Sequence, residues 1–157
     1  MVSYIRKASV KNMEYCSTRD NLTKVSSAQA IAQGISKEGG LFVPCEFPQF
    51  SKEIIKEMMS ENYRERAYRV FKVFLTDFSD DEIKACVNGA YTAEKFGSDD
   101  AAPLVAIDDS TAMLELWHGP TCAFKDMALQ ILPRFLTVAS NKIGDGKTTV
   151  ILVATSG

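Results

Sequence analysis

The chain has 157 residues, 46% of them hydrophobic and 24% charged, with a net charge of -2 from 18 basic and 20 acidic side chains. This composition predicts one globular domain, or one small domain and part of another. The near-neutral charge gives no electrostatic reason to expect a nucleic acid or an anionic membrane as a partner. No apolar run approaches the ~20 residues that cross a bilayer, and no signal-peptide core is present, so the expected compartment is the cytoplasm.

The cysteines and the single histidine limit the possible chemistry. Cys16, Cys45, Cys86 and Cys122 are far apart and form no C-x-x-C pair, so the sequence indicates neither a zinc knuckle nor a redox dithiol. A histidine-rich metal site is excluded because His118 is the only histidine. No G-x-S-x-G motif supplies a serine nucleophile. We therefore expect no metal site.

The first part of the chain predicts short elements with clear ends. A capping box that opens at Ser26 predicts a helix that ends at Gly34. Residues 15–19 and 41–43 form extended segments on either side of this helix, the second of them after a double-glycine turn. The first part of the chain is thus predicted to consist of short extended segments around a short helix.

Three helices are predicted next. Ser51 is an N-cap for the first of them, Tyr63–Phe74 forms the second, and the capping box Ser79-x-x-Glu82 opens the third. Helical spacing predicts buried faces for all three, formed by Ile54, Ile55, Met58 and Met59, by Ala67, Val70, Phe71 and Phe74, and by Ile83, Cys86, Val87, Ala90 and Tyr91.

The pattern changes after residue 100. Residues 103–107, 113–117 and 149–154 are short apolar or alternating runs that predict strands. Between the last two lies a predicted helix over residues 124–141, which Pro133 is expected to kink. Strand, helix and strand in this order predict a βαβ unit.

The last predicted strand is apolar throughout. Residues 150–154 lack polar alternation, which is typical of an interior parallel strand with both faces covered. Thr155, Ser156 and Gly157 then begin a loop at the ligand-binding edge of an open α/β sheet. Because one helix cannot cover two faces, we expect a fragment whose apolar sheet face contacts the remainder of its own chain or another copy.

Residues 118–126 place a lysine where a polar turn runs into an apolar helix. Lys125 lies next to Phe124 in the first helical turn, where partial desolvation and the positive helix end favour a reactive amine. A surface lysine at a helix start is the alternative. Asp126 is expected to be a first-turn acid favoured by the helix dipole, whereas Thr121 either caps the helix or lines the site.

Blocks of sequence distributed over the chain carry a family resemblance. They are residues 15–19, 26–44 and 114–126, and residues 154–157 match the opening of a fourth block. In order and spacing these blocks resemble threonine synthase, a pyridoxal-phosphate enzyme of the tryptophan-synthase-β fold type.

The resemblance implies an α/β fold in two parts. Residues 1–98 correspond to a small, mostly helical N-terminal domain of the threonine synthase type. Residues 99–157 correspond to the first βαβ elements of the parallel sheet of a pyridoxal-phosphate fold-type-II domain, truncated before completion.

The resemblance also implies a reaction. Threonine synthase converts O-phosphohomoserine and water into threonine and phosphate. Lys125 is implied to hold pyridoxal 5'-phosphate covalently as an imine and then to shuttle protons, with Phe124 beside the cofactor. In the family the rest of the chain binds the cofactor phosphate and ring nitrogen, so we expect the 157 residues alone to be inactive and the cofactor to be absent from them.

The substrate contacts implied by the resemblance are Thr155, Ser156, Gly157, His118 and Arg19. An ordinary strand-end turn is the alternative for residues 155–157. His118 is otherwise a loop anchor. Arg19 either binds an anionic substrate group or forms a salt bridge that ties the N-terminal domain to the rest.

Two other functions remain open. One is a threonine-synthase-like binding module that has lost catalysis, and the other is a phospholyase acting on another phosphorylated amino acid. Retention of Lys125 favours an enzyme over a binding module, because partner binding needs no imine-forming residue at that turn.

Overall fold

The computed structural model describes residues 12–144, 146, 148–152 and 154. These residues form a mixed architecture of helices and two small sheets, which is mostly helical in its N-terminal part, as predicted. The strands are β1 (Tyr15–Ser17), β2 (Lys24–Val25), β3 (Phe42–Pro44), β4 (Leu104–Ala106) and β5 (Ala112–Leu114). The helices are α1 (Ser27–Gln33), α2 (Lys52–Met58), α3 (Tyr63–Phe74), α4 (Asp80–Ala90), α5 (Ala93–Phe96), α6 (Asp126–Leu129) and α7 (Leu132–Ile143).

Both sheets are antiparallel. In the first, β1 lies between β2 and β3, with Tyr15 opposite Val25 on one side and Pro44 on the other. The second is the β4–β5 hairpin, in which Leu104 lies opposite Leu114. The hairpin ends directly before the segment that carries Lys125, so it fixes where that segment starts.

Polar side chains start the long helices as the sequence predicts. The Ser26 hydroxyl accepts a hydrogen bond from a backbone N–H in the first turn of α1, and Ser51 does the same for α2. Ser79 and Glu82 form a complete capping box on α4. A second complete box, which the prediction lacked, joins Asn62 to the first turn of α3. Each cap satisfies backbone donors that have no partner within the helix.

The helices enclose one hydrophobic core. Its buried members are Ala28, Leu75, Phe78, Ile83, Cys86, Val87, Ala90, Tyr91, Phe96, Ala101, Ile131, Phe135 and Ala139. The predicted buried face of α4 is confirmed. Since α7 contributes to the same core as α4, residues on both sides of the predicted boundary at 98/99 pack together, and the division into two domains stays a prediction.

Helix α2 forms as predicted but buries little. Ile55 is 50% exposed and Met59 is 78% exposed, and none of the helix residues is buried. Ile54 and Met58, on the same predicted face, are half-buried. The prediction of a buried α2 face is therefore wrong for Ile55 and Met59, and the face is only partly covered in the described chain.

The single helix predicted over residues 124–141 is divided in two. α6 ends at Leu129 and α7 begins at Leu132, with Pro133 in its first turn. Pro133 has no backbone N–H and so cannot make the helical hydrogen bond to the residue four positions earlier, whereas it is well tolerated in the first turn of a helix, so the chain stops one helix and starts another there. The expected kink is a complete break.

The strand predicted over residues 149–154 is absent from the described residues. Residues 148–152 and 154 have no regular structure, and Val150 and Leu152 are 74% and 91% exposed. A parallel strand needs neighbours that take up its backbone hydrogen bonds, and no described strand pairs with this segment. Within the described part, none of the helices is long and apolar enough to cross a membrane.

We expect Phe135→Ala to destabilise the fold strongly. Phe135 is 4% exposed and its ring makes edge contacts with Phe71 and Phe78, at centroid distances of 4.9 and 5.7 Å. Loss of such a side chain costs about 3–5 kcal/mol. Urea unfolding measures this change in the free energy of unfolding.

The matched control for this substitution is Phe47→Ala, because Phe47 is 73% exposed. It should change the free energy of unfolding by less than about 0.5 kcal/mol. Equal losses for the two variants would contradict the position of Phe135 in the core.

Candidate functional site

A loop over residues 115–125 joins the β4–β5 hairpin to α6. The Glu115 backbone N–H donates to the carbonyl of Pro103 at 3.0 Å and so extends the hairpin pairing by one residue. The chain then turns, and the Cys122 N–H donates to the Gly119 carbonyl at 3.0 Å. Cys122 has a φ of 57°, the left-handed region that non-glycine residues seldom adopt.

Lys125 directly precedes α6. Its backbone carbonyl accepts hydrogen bonds from the N–H groups of Ala128 and Leu129, so the residue begins the helical turn. The side chain is exposed and makes no hydrogen bond or ion pair with any other residue that the structure describes. Its amine is therefore available to a ligand.

An open cleft lies beside this lysine. It has a volume of about 450 Å³, and Phe124, which is 65% exposed, belongs to its wall. The other lining residues are predominantly apolar and come from α3, the hairpin and its flanking residues, and α6: Tyr63, Ala102, Leu114, Leu116, Met127, Ala128 and Leu129. The cleft thus combines one primary amine with an apolar wall.

Asp126 is fully buried directly after the lysine. Its Oδ2 atom accepts hydrogen bonds from the Thr121 backbone N–H at 2.8 Å and from the Thr121 hydroxyl at 2.9 Å. Gly119 packs so closely on this carboxylate that an added Cβ would lie 2.4 Å from the Asp126 Cβ. The turn and the start of α6 are therefore held together.

His118 lies in the same loop and is half-buried. Its Nε2 atom is 2.6 Å from Oε2 of Glu115, and its ring stacks on that of Trp117 at a centroid distance of 5.6 Å. These contacts anchor the loop, which is one of the two roles that the sequence leaves open for His118. A substrate contact by His118 stays a prediction.

Arg19 lies at the end of β1 in the first sheet. Its Nη1 atom donates to the Glu38 carbonyl at 3.1 Å, and its guanidinium packs on Gly39. In the described ranges, no hydrogen bond or ion pair joins Arg19 to residues 118–126. The structure therefore gives Arg19 a local contact in the N-terminal sheet, and its predicted substrate role stays untested.

Tyr91 connects the core to α6. Its hydroxyl donates to the carbonyl of Met127 at 2.8 Å, and its ring meets the edge of Tyr63 at a centroid distance of 4.9 Å. Burial, together with the neighbouring Tyr63, raises the pKa of Tyr91 well above its usual value. The neutral, donating form is the one that holds α6.

Comparisons with known proteins show which family the chain resembles. Residues 14–91 match the family described as threonine synthase N terminus. The threonine synthase of Methylobacillus glycogenes is 35% identical over 153 residues, which cover 92% of this chain and 32% of that protein. The threonine synthase of Schizosaccharomyces pombe is also 35% identical, over 92% of this chain and 29% of its own length.

The chain belongs to the threonine synthase family. It spans about a third of the length of the curated relatives that it matches.

Solved structures of the family share the fold. A PLP-bound threonine synthase from Brucella melitensis superposes with a TM-score of 0.77 at 35% identity, over 84% of this chain and 28% of that one. Yeast threonine synthase superposes with a TM-score of 0.76 at 28% identity, over 87% of this chain and 28% of that one. Most of the described fold is thus shared with these solved threonine synthases.

The structure brings together only some of the predicted site residues. Lys125, Phe124 and His118 lie in one loop, whereas Arg19 lies in the other sheet. Thr155, Ser156 and Gly157 lie outside the described residues. Sequence reasoning missed the buried contact between Thr121 and Asp126, because no periodic pattern joins residues five apart across a turn.

We expect the stability of the fold to decline as the pH rises above about 10, the ordinary pKa of tyrosine. Because burial raises the pKa of Tyr91 in the folded state, the unfolded chain releases this proton first, and the proton-linked stabilisation is lost with rising pH. Urea unfolding at a series of alkaline pH values measures the decline.

The variant Tyr91→Phe serves as the control for this pH effect. It lacks the titrating group and should show a shallower decline, although Tyr15 and Tyr63, whose pKa values are also raised by burial, still contribute. A decline as steep as that of the unmodified protein would contradict the assignment to Tyr91.

We expect Gly119→Ala to destabilise the loop over residues 115–125. The added methyl group would overlap the Asp126 side chain, and such overpacking costs about 1–3 kcal/mol. The free energy of unfolding measures the loss.

Gly89→Ala is the matched control, because in α4 the added methyl group meets only the flexible end of Arg134. For Gly89→Ala, the free energy of unfolding is expected to stay the same or to rise by up to about 1 kcal/mol. Equal losses at both glycines would show that the Gly119 contact with Asp126 is not special.

Proposed function

We propose that this chain is the N-terminal part of a threonine synthase that converts O-phosphohomoserine and water into threonine and phosphate. The observation that carries the proposal is Lys125, whose amine has no polar partner among the described residues and which directly precedes α6 beside an apolar cleft in a chain of this family. Because the chain spans about a third of its relatives, the activity belongs to the full-length protein and the 157 residues alone are inactive.

The residues of the cleft fit pyridoxal phosphate as a covalently held cofactor. A primary amine such as that of Lys125 is the group that bonds reversibly to an aldehyde, and Phe124, 65% exposed, offers an aromatic surface to a planar ring. When bound, this cofactor supplies an aldehyde and an electron-withdrawing ring that stabilises negative charge on the substrate carbon.

Lys125 has two tasks in this proposal. Its Nζ atom would hold the cofactor through a covalent bond. Its free amine would accept and donate protons at Nζ. Leu114, Leu116 and Met127 form an apolar wall of the open cleft beside this amine.

The substrate-binding residues in this proposal are His118, Arg19, Thr155, Ser156 and Gly157. His118 is the one among them that lies in the loop over residues 115–125, where Glu115 and Trp117 already orient its ring. The hydroxyl and backbone donors of residues 155–157 suit the substrate carboxylate, and the Arg19 guanidinium suits an anionic group. Each role needs its own test by substitution.

We also propose how the chain divides into domains and what covers its exposed apolar residues. Residues 1–98 form the N-terminal domain, and residues 99–157 begin the cofactor-binding domain. The remainder of the same chain, or a second copy, covers the exposed apolar residues 150–152. The protein acts in the cytoplasm on a small-molecule substrate.

Reductive trapping tests the central assignment. The full-length protein is incubated with pyridoxal phosphate, reduced with borohydride and digested, and the labelled lysine is located by mass spectrometry. Label is expected on Lys125, because its amine has no other polar partner among the described residues. Lys125→Ala should lose both the label and the conversion of O-phosphohomoserine.

The matched control is Lys56→Ala on α2, an exposed lysine remote from the cleft, which should keep both the label and the activity. A full-length protein that carries no label at Lys125 would overturn the catalytic assignment and favour a binding module. Label at Lys125 without release of phosphate from O-phosphohomoserine, but with release from another phosphorylated amino acid, would favour a phospholyase.

A further inference from the structure

We propose that Asp126 is a positioning residue, which fixes the loop before Lys125 and thereby directs the lysine amine into the cleft. The inference rests on the proposed function of Lys125. It assigns to Asp126 a task that helix capping or surface charge would not require.

Asp126 is a buried carboxylate whose principal partners come from one residue. Its side chain is 0% exposed, and Oδ2 accepts both the backbone N–H and the hydroxyl of Thr121, at 2.8 and 2.9 Å. The amide of Gln130 approaches Oδ1 only to 3.5 Å. Because an unpaired buried carboxylate is costly, the two bonds from Thr121 determine where the loop can lie.

The helix dipole does not explain this arrangement. α6 has four residues, too few for a large dipole, and an acid that served the dipole would bond to the free N–H groups of its own first turn. Asp126 instead accepts from Thr121, which precedes the helix by five residues. The carboxylate is thus directed at the loop.

The loop stays in an unfavourable conformation that these bonds can maintain. Cys122, directly after Thr121, has a φ of 57°, and such a conformation persists when the surroundings fix it. The Asp126 backbone N–H donates to the Ala123 carbonyl at 3.0 Å, so side chain and backbone of Asp126 hold both ends of the segment 121–123. Lys125 follows directly from this closed turn.

Gly119 completes the arrangement. It is buried, and an added Cβ would lie 2.6 Å from the Asp126 Oδ2 atom. The absence of a side chain there lets the carboxylate approach Thr121. Because Lys125 is bonded to Asp126, a shift of this turn moves the lysine backbone, and a displacement of about 1 Å can slow a positioned reaction about a hundredfold.

The test uses the full-length protein and two measurements. The first is the rate at which pyridoxal phosphate becomes borohydride-trappable on Lys125. The second is the hydrogen exchange of backbone amides in residues 119–123. We expect Asp126→Ala to slow the trapping about tenfold to a hundredfold and to speed the exchange of the Thr121 amide, because that amide loses its acceptor.

A second pair of variants keeps the test decisive if Asp126→Ala does not fold. Thr121→Val removes only the hydroxyl donor and should slow trapping by a smaller factor, whereas Thr121→Ser keeps this donor and should restore the normal rate. Ser79→Ala removes a capping contact on α4 and controls for stability, so it should lower the melting temperature without changing the trapping rate.

The outcomes separate the two proposals. If the unmodified protein carries no label at Lys125, the proposed function fails, and the exchange data still show whether Asp126 holds the loop. If the unmodified protein is labelled but Asp126→Ala and Thr121→Val react at its rate with unchanged exchange, Asp126 is not a positioning residue. A slowed rate in Ser79→Ala as well would assign the effect to stability and overturn the inference.

Discussion

The packing of α7 against the N-terminal helices is the constraint on which the candidate site depends. Ile131, Phe135 and Ala139 place one face of α7 in the same core as α4, and the interlocked phenylalanine rings fix its position. Because α6 ends only two residues before α7, the position of α7 limits where α6 and its preceding lysine can lie. An apolar contact remote from the amine therefore sets the location of the chemistry.

Two polar contacts then refine a position that apolar packing leaves approximate. The Tyr91 hydroxyl holds the Met127 carbonyl from the core side, and Asp126 holds Thr121 from the loop side. Packing alone is non-directional, whereas hydrogen bonds fix distances and angles, so the combination suits an element that must present one amine in one direction. Lys125 lies between these two anchored points and is itself free of polar partners among the described residues.

The sequence predicted the features that local chemistry determines. Ser79 and Glu82 satisfy the first-turn donors of α4, and the apolar residues of α4 recur at helical spacing, so both its start and its buried face follow from neighbouring residues. Pairing was beyond such reasoning, because the apolar patterns of β4 and β5 do not reveal that these strands pair with each other, and a parallel partner for residues 149–154 would come from distant chain. The same limit applied to α2, whose apolar face has no close partner, and to Asp126, whose acceptor role depends on a turn at Cys122.

Several residues of the candidate site are unfavourable for folding. A buried carboxylate at Asp126, a left-handed Cys122 and an exposed Phe124 each cost free energy in a chain that only needed to fold. All three lie within five residues of one another and on either side of the amine, whereas the core residues of α4 obey the ordinary rules of burial and periodicity. Exposed apolar side chains such as Leu22 and Phe47 also occur far from this loop, so the exposure of Phe124 does not distinguish it. The features peculiar to the loop are the buried Asp126 and the left-handed Cys122, and departures from the ordinary rules of folding are expected at functional or strained sites.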